Sequence, residues 1–401
     1  MFEDDLIERK PRIDKLQLCA VTGLMLLGVA FVYSATMGRQ SDNASLFSQL
    51  WFRQIIWYAI GIAAAAAACF VDYHTLARWW VVGYWGSILL LVAVLIPHVG
   101  SARGGAMRWI DLGPFQLQPS EVAKLAFILA MSSYLSRPPE ELKQRRIFWG
   151  AIGMTLLPFA LILKEPDLGS ALILLPIGVA MLFIAGTPVR YLGRLIGAVT
   201  FVVALLLIDV FFAPPGWYKI RLEDYQRDRL MVYFGMDFAP QGATPEQKNQ
   251  ARQRQDAKSY QVRQAQILVG SGGLNGRGWR RGSQTLGFLP PGAAHNDFIF
   301  SVIAGEKGFV GSVTVITLYA VILFSGIRIA GQARDRLGKL LAAGVVTLLF
   351  GHVFVNIGMN IRIMPVTGIP LPLLSYGGSS VVCSLIAIGM LQNVYLHRKG
   401  Y

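Results

Sequence analysis

Charged residues are scarce in this sequence, and cysteines are scarcer still. Only 15% of the 401 residues are Asp, Glu, Lys or Arg, whereas 54% are hydrophobic and the mean hydropathy is +0.48. Soluble domains carry about 25% charged residues, so this composition excludes a soluble globular fold and predicts an integral membrane protein. The three cysteines, Cys19, Cys69 and Cys383, each lie inside an apolar stretch, which excludes a disulfide framework and any metal-ligand spacing.

Acidic residues are fewer than basic ones, 23 against 37, which gives a net charge of +14. The excess is divided between the short flanks of apolar stretches and one long loop. No soluble basic domain is left to hold a nucleic acid duplex. Anionic lipid is the expected partner of this charge.

Long apolar windows predict an all-α fold with about ten transmembrane helices, because each window can cross the roughly 30 Å hydrocarbon core. An alanine run at 63–68 in the second window predicts close helix packing. The chain is therefore interpreted as a cytoplasmic N-terminal segment, 1–15, and one polytopic membrane domain, 16–401. The windows fall at residues 16–36, 53–71, 79–97, 119–136, 148–163, 167–186, 189–212, 298–328, 339–361 and 379–396.

The orientation follows from the basic residues. The segment EDDLIERKPRIDK has no small-residue cleavage site, so we expect no removable signal peptide. With a cytoplasmic N-terminus, most Lys and Arg residues of the short loops fall on the cytoplasmic side, as the positive-inside rule requires. Both termini are then cytoplasmic, and the long connection 213–297 between the seventh and eighth windows is extracytoplasmic.

This long loop divides into two halves. The first half, EDYQRDRL through ATPEQKNQARQRQ, is highly polar and is expected to be partly mobile. In the second half, DAKSYQVRQAQILV places Tyr260, Arg263, Gln264 and Ile267 at helical spacing, with an apolar end suited to the headgroup region. The following GSGGLNGRGW predicts turns, and it matches neither a phosphate loop nor a dinucleotide fingerprint.

Charged and polar residues at predicted helix ends are the candidates for function. Glu121 and Lys124 are three residues apart and share a helix face, which indicates a functional intramembrane pair or one that only joins two helices. Arg108 and Trp109 lie in the preceding loop, where Trp often anchors a chain at the interface. In the tight turn KEPDLGS, Asp167 could also be the N-cap of the sixth transmembrane helix.

A second polar group lies toward the C-terminus. His352, Asn356 and Asn360 recur every four residues, and interhelical hydrogen bonds are their most economical explanation. The segment RIMPVTGIPLPLLSYGGSS, which contains Ser375, breaks any helix and must be buried or line a wet cavity. Since the loops that hold Arg108, Asp167, Asp297 and Ser375 are all predicted to be outer, we expect a cavity open to the outside.

Five motifs in order carry a resemblance to a known family: ARGGAMRWIDLG with QPSEVAKL, KEPDLGSALIL, YQVRQAQILVGSGGLNGRGW, HNDFIFSVIAGEKGFVG and NIGMNIRIMPVTGIPLPLLSYGGSS. The sequence resembles the SEDS (shape, elongation, division and sporulation) peptidoglycan polymerases, which include RodA and FtsW. Pro370 after Ile369 makes the last motif more like RodA. Three departures stand out: Gly305 with Glu306 where the family has paired acids, Arg362 where a Gly is usual, and a longer stretch at 289–295.

The resemblance implies a peptidoglycan glycosyltransferase that polymerises lipid II on the outer face of the bacterial cytoplasmic membrane, for cell elongation and shape. It implies Asp297 as the essential acid, release of undecaprenyl pyrophosphate, and a class B penicillin-binding protein as partner. Residues of the same motifs, interpreted as substrate-binding, are Arg108, Trp109, Glu121, Lys124, Lys164, Asp167, Gln264, His295 and Ser375.

The chemistry suits this inventory. A sugar hydroxyl needs a base, and Asp297, desolvated beside Phe298 and Phe300, should have a raised pKa. A departing pyrophosphate needs neutralisation instead of a proton, by cations or by a divalent ion such as Mg or Mn, and no metal ligands can be assigned. The candidate cations are Arg108, Lys124, Lys164, Arg263, Arg277, Arg280 and Arg281.

Three alternatives stay open at this point. The protein could be a lipid II flippase, because a polar cavity within ten helices also suits transport. It could be a non-catalytic membrane scaffold for a transpeptidase. Asp297 itself could be only the N-cap of the eighth transmembrane helix, a position that Asn fills equally well.

Overall fold

The computed structural model describes residues 13–36, 46–97, 99–103, 106–113, 115–212, 224–236, 238, 244–281 and 293–398. Within these residues the protein is a helical bundle, and a helix coincides with every predicted transmembrane window. Seven of the described helices are long and apolar enough to cross a membrane. The helices that coincide with the ten predicted windows are α1 Lys15–Thr36, α2 Leu50–Phe70, α4 Trp80–Val94, α5 Pro119–Leu135, α7 Arg145–Lys164, α8 Leu168–Ala185, α9 Val189–Phe212, α12 Ile299–Gln332, α13 Arg336–Asn360 and α14 Gly378–Leu396.

Shorter elements connect these helices. They are a 3-10 helix Leu46–Ser48, α3 Tyr73–Arg78, α6 Pro139–Leu142, α10 Asp224–Phe234 and α11 Pro245–Ser271, together with strands β1 Gly100–Arg103, β2 Ala106–Asp111 and β3 Gln116–Leu117.

The three strands form one antiparallel sheet in the order β1-β2-β3 between α4 and α5. Ser101 pairs with Trp109, and Ile110 pairs with Leu117. The sequence predicts only a loop here, so the sheet is an addition to the all-α prediction. It gives Arg108 and Trp109 a fixed backbone next to α5.

The centre of the bundle is held by close backbone approach. A Cβ built on Gly389 of α14 would lie 2.6 Å from the carbonyl oxygen of Ala65 on α2. Small residues allow helices in a membrane to approach in this way, so the packing predicted from the alanine run is confirmed.

The two ends of the bundle carry different groups. Asp14, before α1, accepts hydrogen bonds from Ser325 and Arg328 of α12, and its N–H donates to Gln392 Oε1 of α14 at 2.9 Å. The start of α1 and the end of α14 therefore lie at one end of the bundle. Asp297 lies at the opposite end.

α12 is broken at Gly308, whose φ of 65° and ψ of −153° no residue with a side chain adopts readily. The turns after α11 fill the break. Arg277 N–H donates to Gly305 O at 3.0 Å, and Phe309 N–H donates to Gly273 O at 2.8 Å. Broken backbone is tolerated here because protein groups satisfy it, and the turns predicted for GSGGLNGRGW are confirmed.

The polar half of the long loop is helical where the structure describes it. α10 and the first turns of α11 are joined by an ion pair between Arg254 and Asp228 at 2.9 Å. These two helices add regular structure that the sequence does not predict. The partial mobility expected of this half stays a prediction. The rest of that half lies outside the described residues.

α11 is confirmed as a helix, but its packing face differs from the stripe read from the sequence. Val262, Ala265 and Leu268 are the buried positions, whereas Tyr260 and Ile267 are 40% and 53% exposed. The exposed apolar residues agree with the predicted position of this helix at the membrane surface.

Candidate active site

Asp297 lies in the turn that precedes α12, and side chains of α13 hold its backbone. Its carbonyl oxygen accepts hydrogen bonds from Asn356 Nδ2 at 2.9 Å and Asn360 Nδ2 at 3.1 Å. The interhelical role predicted for the polar stripe on α13 is confirmed by these contacts. They fix the turn without occupying the carboxylate.

The N-cap alternative for Asp297 does not agree with the geometry. Phe298 is the N-cap residue of α12. The side-chain oxygen of Asn360 accepts from the N–H of Ser301 at 3.3 Å and from its hydroxyl at 2.5 Å. Asn360 therefore caps the start of α12, and the Asp297 carboxylate does not have this role.

Burial raises the pKa of the Asp297 carboxyl to about 6, while Arg229 and Arg108 lower it and Asp167 raises it further. The neighbouring Phe298 and Phe300 are only 1% and 3% exposed. The sequence predicts this shift and its cause. A carboxylate with this pKa is ionised at neutral pH and accepts a proton readily.

Of the two arginines that lower the pKa of the Asp297 carboxyl, Arg229 has the larger effect. The sequence does not predict this role. Arg229 extends from α10, and its Nη1 donates to the carbonyl of Thr367 at 3.1 Å. A Cβ built on Gly368 would lie 3.6 Å from Asp297 Oδ2 and 4.0 Å from Arg229 Nη2. Both distances are ordinary van der Waals contacts, so the glycine is required by its backbone φ of 77° and not by lack of space.

We expect Arg229→Gln to move the acid limb of activity to higher pH. Arg229 lowers the pKa of Asp297, so its removal raises that pKa and the base becomes ionised only at higher pH. The measurement is the rate of glycan formation against pH. Arg227→Gln on the same helix is the matched control and should keep the wild-type profile; an unchanged profile in Arg229→Gln would contradict the assignment.

Arg108 and Asp167 lie close together, as predicted from the placement of their two loops on the outer side. Arg108 Nη1 lies 3.8 Å from Asp167 Oδ1, and the guanidinium also donates to the carbonyls of Glu165 and Pro166. Asp167 caps α8 by accepting from Ser170 N–H at 3.2 Å, so its predicted N-cap role is confirmed. The Asp167 carboxylate therefore caps α8 and also pairs with the Arg108 guanidinium.

Glu165 lies in the predicted outer turn KEPDLGS, but the sequence assigns it no role. It is fully buried, and neither carboxyl oxygen has a hydrogen-bond partner. Burial raises the pKa of this carboxyl to about 9, with Asp167 raising it further and Arg108 lowering it. Glu165 is therefore a neutral acid at physiological pH.

Glu165→Gln is expected to raise thermal stability, and more so at higher pH. Between the ordinary pKa of 4.5 and about 9, the folded state holds a proton that the unfolded state has released. The free energy of unfolding therefore falls as pH rises, and a neutral amide removes this dependence. Melting temperatures of both proteins from about pH 6 to about pH 9 test this; a constant difference across that range would contradict it.

Glu121 and Lys124 form the buried pair that their spacing predicts. Lys124 Nζ lies 2.8 Å from Glu121 Oε1 and 2.9 Å from His352 Nε2 on α13. All three residues are at most 3% exposed. A small cavity beside them is also lined by Cys383 and Ser384. The pair joins α5 to α13 one turn below Asn356.

Ser375 and His295 hold the Asp297 turn from the other side. The Ser375 hydroxyl donates to Asn296 O at 2.6 Å and accepts from Leu371 N–H at 2.8 Å. Tyr376 N–H donates to His295 O at 2.9 Å. The hydroxyl uses its one donor and one of its two lone pairs on backbone, so the geometry gives Ser375 a positioning role at this turn.

Other predicted residues are not brought to the carboxylate by any described contact. Trp109 and Gln264 are half-buried on β2 and α11. The remaining candidate cations are exposed, namely Lys164, Arg263, Arg277, Arg280 and Arg281. Within the described ranges, no group of three or more His, Cys, Asp or Glu residues is arranged to hold a metal ion. A role for Mg or Mn thus stays a prediction without assigned ligands.

Comparisons with known proteins cover almost the whole chain. A family model for FtsW, RodA and SpoVE, described as a cell cycle protein, matches residues 15–400. MrdB of Escherichia coli K12, named a peptidoglycan glycosyltransferase, is 34% identical over 96% of this chain and 95% of its own. RodA of Treponema pallidum, with the same named activity, is 34% identical over 95% of this chain and 97% of its own.

Solved structures give the same result. The crystal structure of the rod shape determining protein RodA of Thermus thermophilus has a TM-score of 0.66 at 28% identity, covering 97% of this chain and 98% of that one. A chain from a peptidoglycan synthase complex, described for its coordination of polymerization and crosslinking, has a TM-score of 0.74 at 29% identity, covering 96% and 98%. With its apolar helices, this chain is a multi-pass membrane protein that belongs to the SEDS family of FtsW, RodA and SpoVE.

Proposed function

We propose that the protein is a peptidoglycan glycosyltransferase that polymerises lipid II into glycan strands, with Asp297 as general base. The observation that carries the proposal is a half-buried carboxylate at one end of the bundle, whose pKa desolvation raises to about 6 and two arginines lower. The named activity of the MrdB and RodA relatives supports the reaction class.

In the proposed reaction, the 4-hydroxyl oxygen of one disaccharide attacks C1 of another. The hydroxyl proton passes to the Asp297 carboxylate, the new C1–O bond forms, and the bond from C1 to the pyrophosphate oxygen breaks. Such a positioned base contributes about 10²- to 10⁴-fold to the rate. Undecaprenyl pyrophosphate leaves with the bonding electrons.

The leaving group needs positive charge where its own negative charge develops. Arg229 and Arg108 are the cations whose charge reaches Asp297, so we assign them to the pyrophosphate. Asp167 and the carbonyls of Glu165 and Pro166 hold the Arg108 guanidinium in place. Exposed Lys164 is a weaker candidate than the sequence analysis suggests.

The orientation proposed for the chain puts this site outside the cell membrane. The end of the bundle with Asp14 and Gln392 would be cytoplasmic, and the Asp297 end would face outward. The distribution of Lys and Arg in the short loops supports this orientation. A substrate displayed on the outer leaflet could then enter beside Arg108.

A class B penicillin-binding protein is the proposed partner, in a machinery for elongation and cell shape. The similarity to a chain of a peptidoglycan synthase complex supports an assembly of this kind. The RodA-like form of the GIPLP motif, with Pro370, supports elongation over division.

A proteoliposome assay with purified protein separates the proposed activity from its alternatives. Labelled lipid II on the outer face should be converted into long glycan strands, with release of undecaprenyl pyrophosphate. A second arm adds a partner transpeptidase. Movement of lipid II between leaflets without strand formation would support a flippase. Neither movement nor polymerisation, with or without the partner, would support a scaffold.

A further inference from the structure

A group of exposed cations and apolar side chains surrounds the break in α12, away from the site described above. We call it the kink patch and define it as Leu274, Arg277, Trp279, Lys307 and Phe309. Lys307 Nζ lies 5.4 Å from the centre of the Trp279 ring, within cation–π range. Trp279 also packs on Phe31 of α1, with ring centres 5.4 Å apart.

The position of the break along α12 places this patch at the membrane boundary. At about 1.5 Å per residue, 309–332 extends about 36 Å, which is enough to cross the roughly 30 Å hydrocarbon core. The segment 299–307 before the break contacts Asn360, at the end of α13, near its own start. Near its end it contacts Ser34, close to the end of α1. Ser301 contacts Asn360, and Ser34 donates to Glu306 Oε1 at 2.6 Å.

The composition of the patch is that of a lipid-facing surface. Leu274 and Phe309 are 65% and 63% exposed, and Trp279 is 39% exposed. Arg277 and Lys307 are exposed beside them. Apolar side chains at this depth suit acyl chains, a Trp suits the interface, and cations suit phosphate groups. The adjacent acid, Glu306, is fully buried and accepts a hydrogen bond from Ser34.

The patch is separated from Asp297 by the whole of the first segment of α12. Nine helical residues, 299–307, extend about 13 Å. The described contacts of Arg277 are with Ser271 and Gly305, near the end of that segment. Its assignment to the leaving pyrophosphate stays a prediction.

We propose that the kink patch binds the anionic headgroups of phospholipids such as phosphatidylglycerol in the outer leaflet. The cations hold the phosphate while Leu274, Trp279 and Phe309 contact the acyl chains. Because the turns 272–278 are hydrogen-bonded to both sides of the break, a bound lipid braces the segment that begins at Asp297. This interaction does not depend on the proposed glycosyltransferase activity.

The test compares two double variants that remove the same charges. Arg277→Gln/Lys307→Gln changes the patch, and Lys248→Gln/Arg252→Gln removes one Lys and one Arg from the exposed polar half of α11. Each purified protein is titrated with phosphatidylglycerol or phosphatidylcholine. Bound lipid is counted by native mass spectrometry, and thermal stability is recorded in parallel.

We expect the patch variant to bind phosphatidylglycerol about thirtyfold more weakly, since each cation at an anionic surface contributes about a fivefold gain. The control should bind like wild type, and Arg277→Lys/Lys307→Arg should recover the affinity. Equal binding in wild type and patch variant, or no preference for phosphatidylglycerol over phosphatidylcholine, would overturn the proposal. If the double variant does not fold, Lys307→Gln alone gives the same readout.

Discussion

Asp297→Asn is expected to reduce lipid II polymerisation by about 10²- to 10⁴-fold while the helical bundle stays folded. The amide keeps the size of the carboxyl but cannot accept the proton of the attacking hydroxyl. The contacts that hold this turn are made by the backbone carbonyl with Asn356 and Asn360, so they survive the substitution. Initial rates of glycan formation by purified protein measure the effect.

Asp111→Asn is the matched control for this substitution. Asp111 ends β2 and is exposed, and its carboxylate accepts a hydrogen bond from Gln116 at 2.8 Å. This variant should polymerise lipid II at the wild-type rate. A wild-type rate in Asp297→Asn would remove the base assignment, whereas a melting temperature far below that of wild type would show a structural role instead.

Lys124→Met is expected to lower the free energy of unfolding by about 3–5 kcal/mol, because it leaves a buried carboxylate without its cation. The loss is large since Glu121 is 3% exposed and Lys124 also contacts His352. Thermal or detergent-induced unfolding of the purified variants measures it. The same variant should lose activity, so stability is the informative reading.

The double variant Glu121→Gln/Lys124→Met distinguishes the effect of losing the whole ion pair from the effect of losing one of its charges. With both charges removed, most of the lost stability should return, since neutral replacement of a buried pair is often tolerated. Additive losses in the double variant would mean that the two charges do not compensate each other in the folded protein. Recovery of stability without recovery of activity would favour a functional role for the pair.

The parts of the structure that follow from local rules are predictable. Every transmembrane helix matches an apolar window, because hydropathy over about twenty residues determines what can cross a membrane. The Glu121 and Lys124 pair follows from helical spacing, and the Asp167 cap follows from the turn before α8. The sequence places the loops of Asp297 and Arg108 on the same outer side of the membrane, so the proximity of this carboxylate to a cation is also predictable.

Contacts between distant segments are what the sequence does not show. Arg229 reaches the site only because α10 lies against the loop after α13, where Tyr233 OH donates to Ile363 O at 2.7 Å. The buried state of Glu165 depends on packing around its turn. Arg362 illustrates the same limit, since its φ of 62° explains why a glycine would suit that position, yet no local pattern reveals the angle.

The central claim is that the ionised carboxylate of Asp297 takes a proton during polymerisation, and the pH dependence of the wild-type rate tests it most directly. Burial raises the pKa of this group to about 6, so the rate should fall as pH drops through about 6 and level off above it. The measurement is the initial rate of lipid II polymerisation at limiting substrate, which reports kcat/KM and so the free protein, from about pH 5 to about pH 8. A rate that stays constant across this interval, in protein that remains folded, would contradict the account.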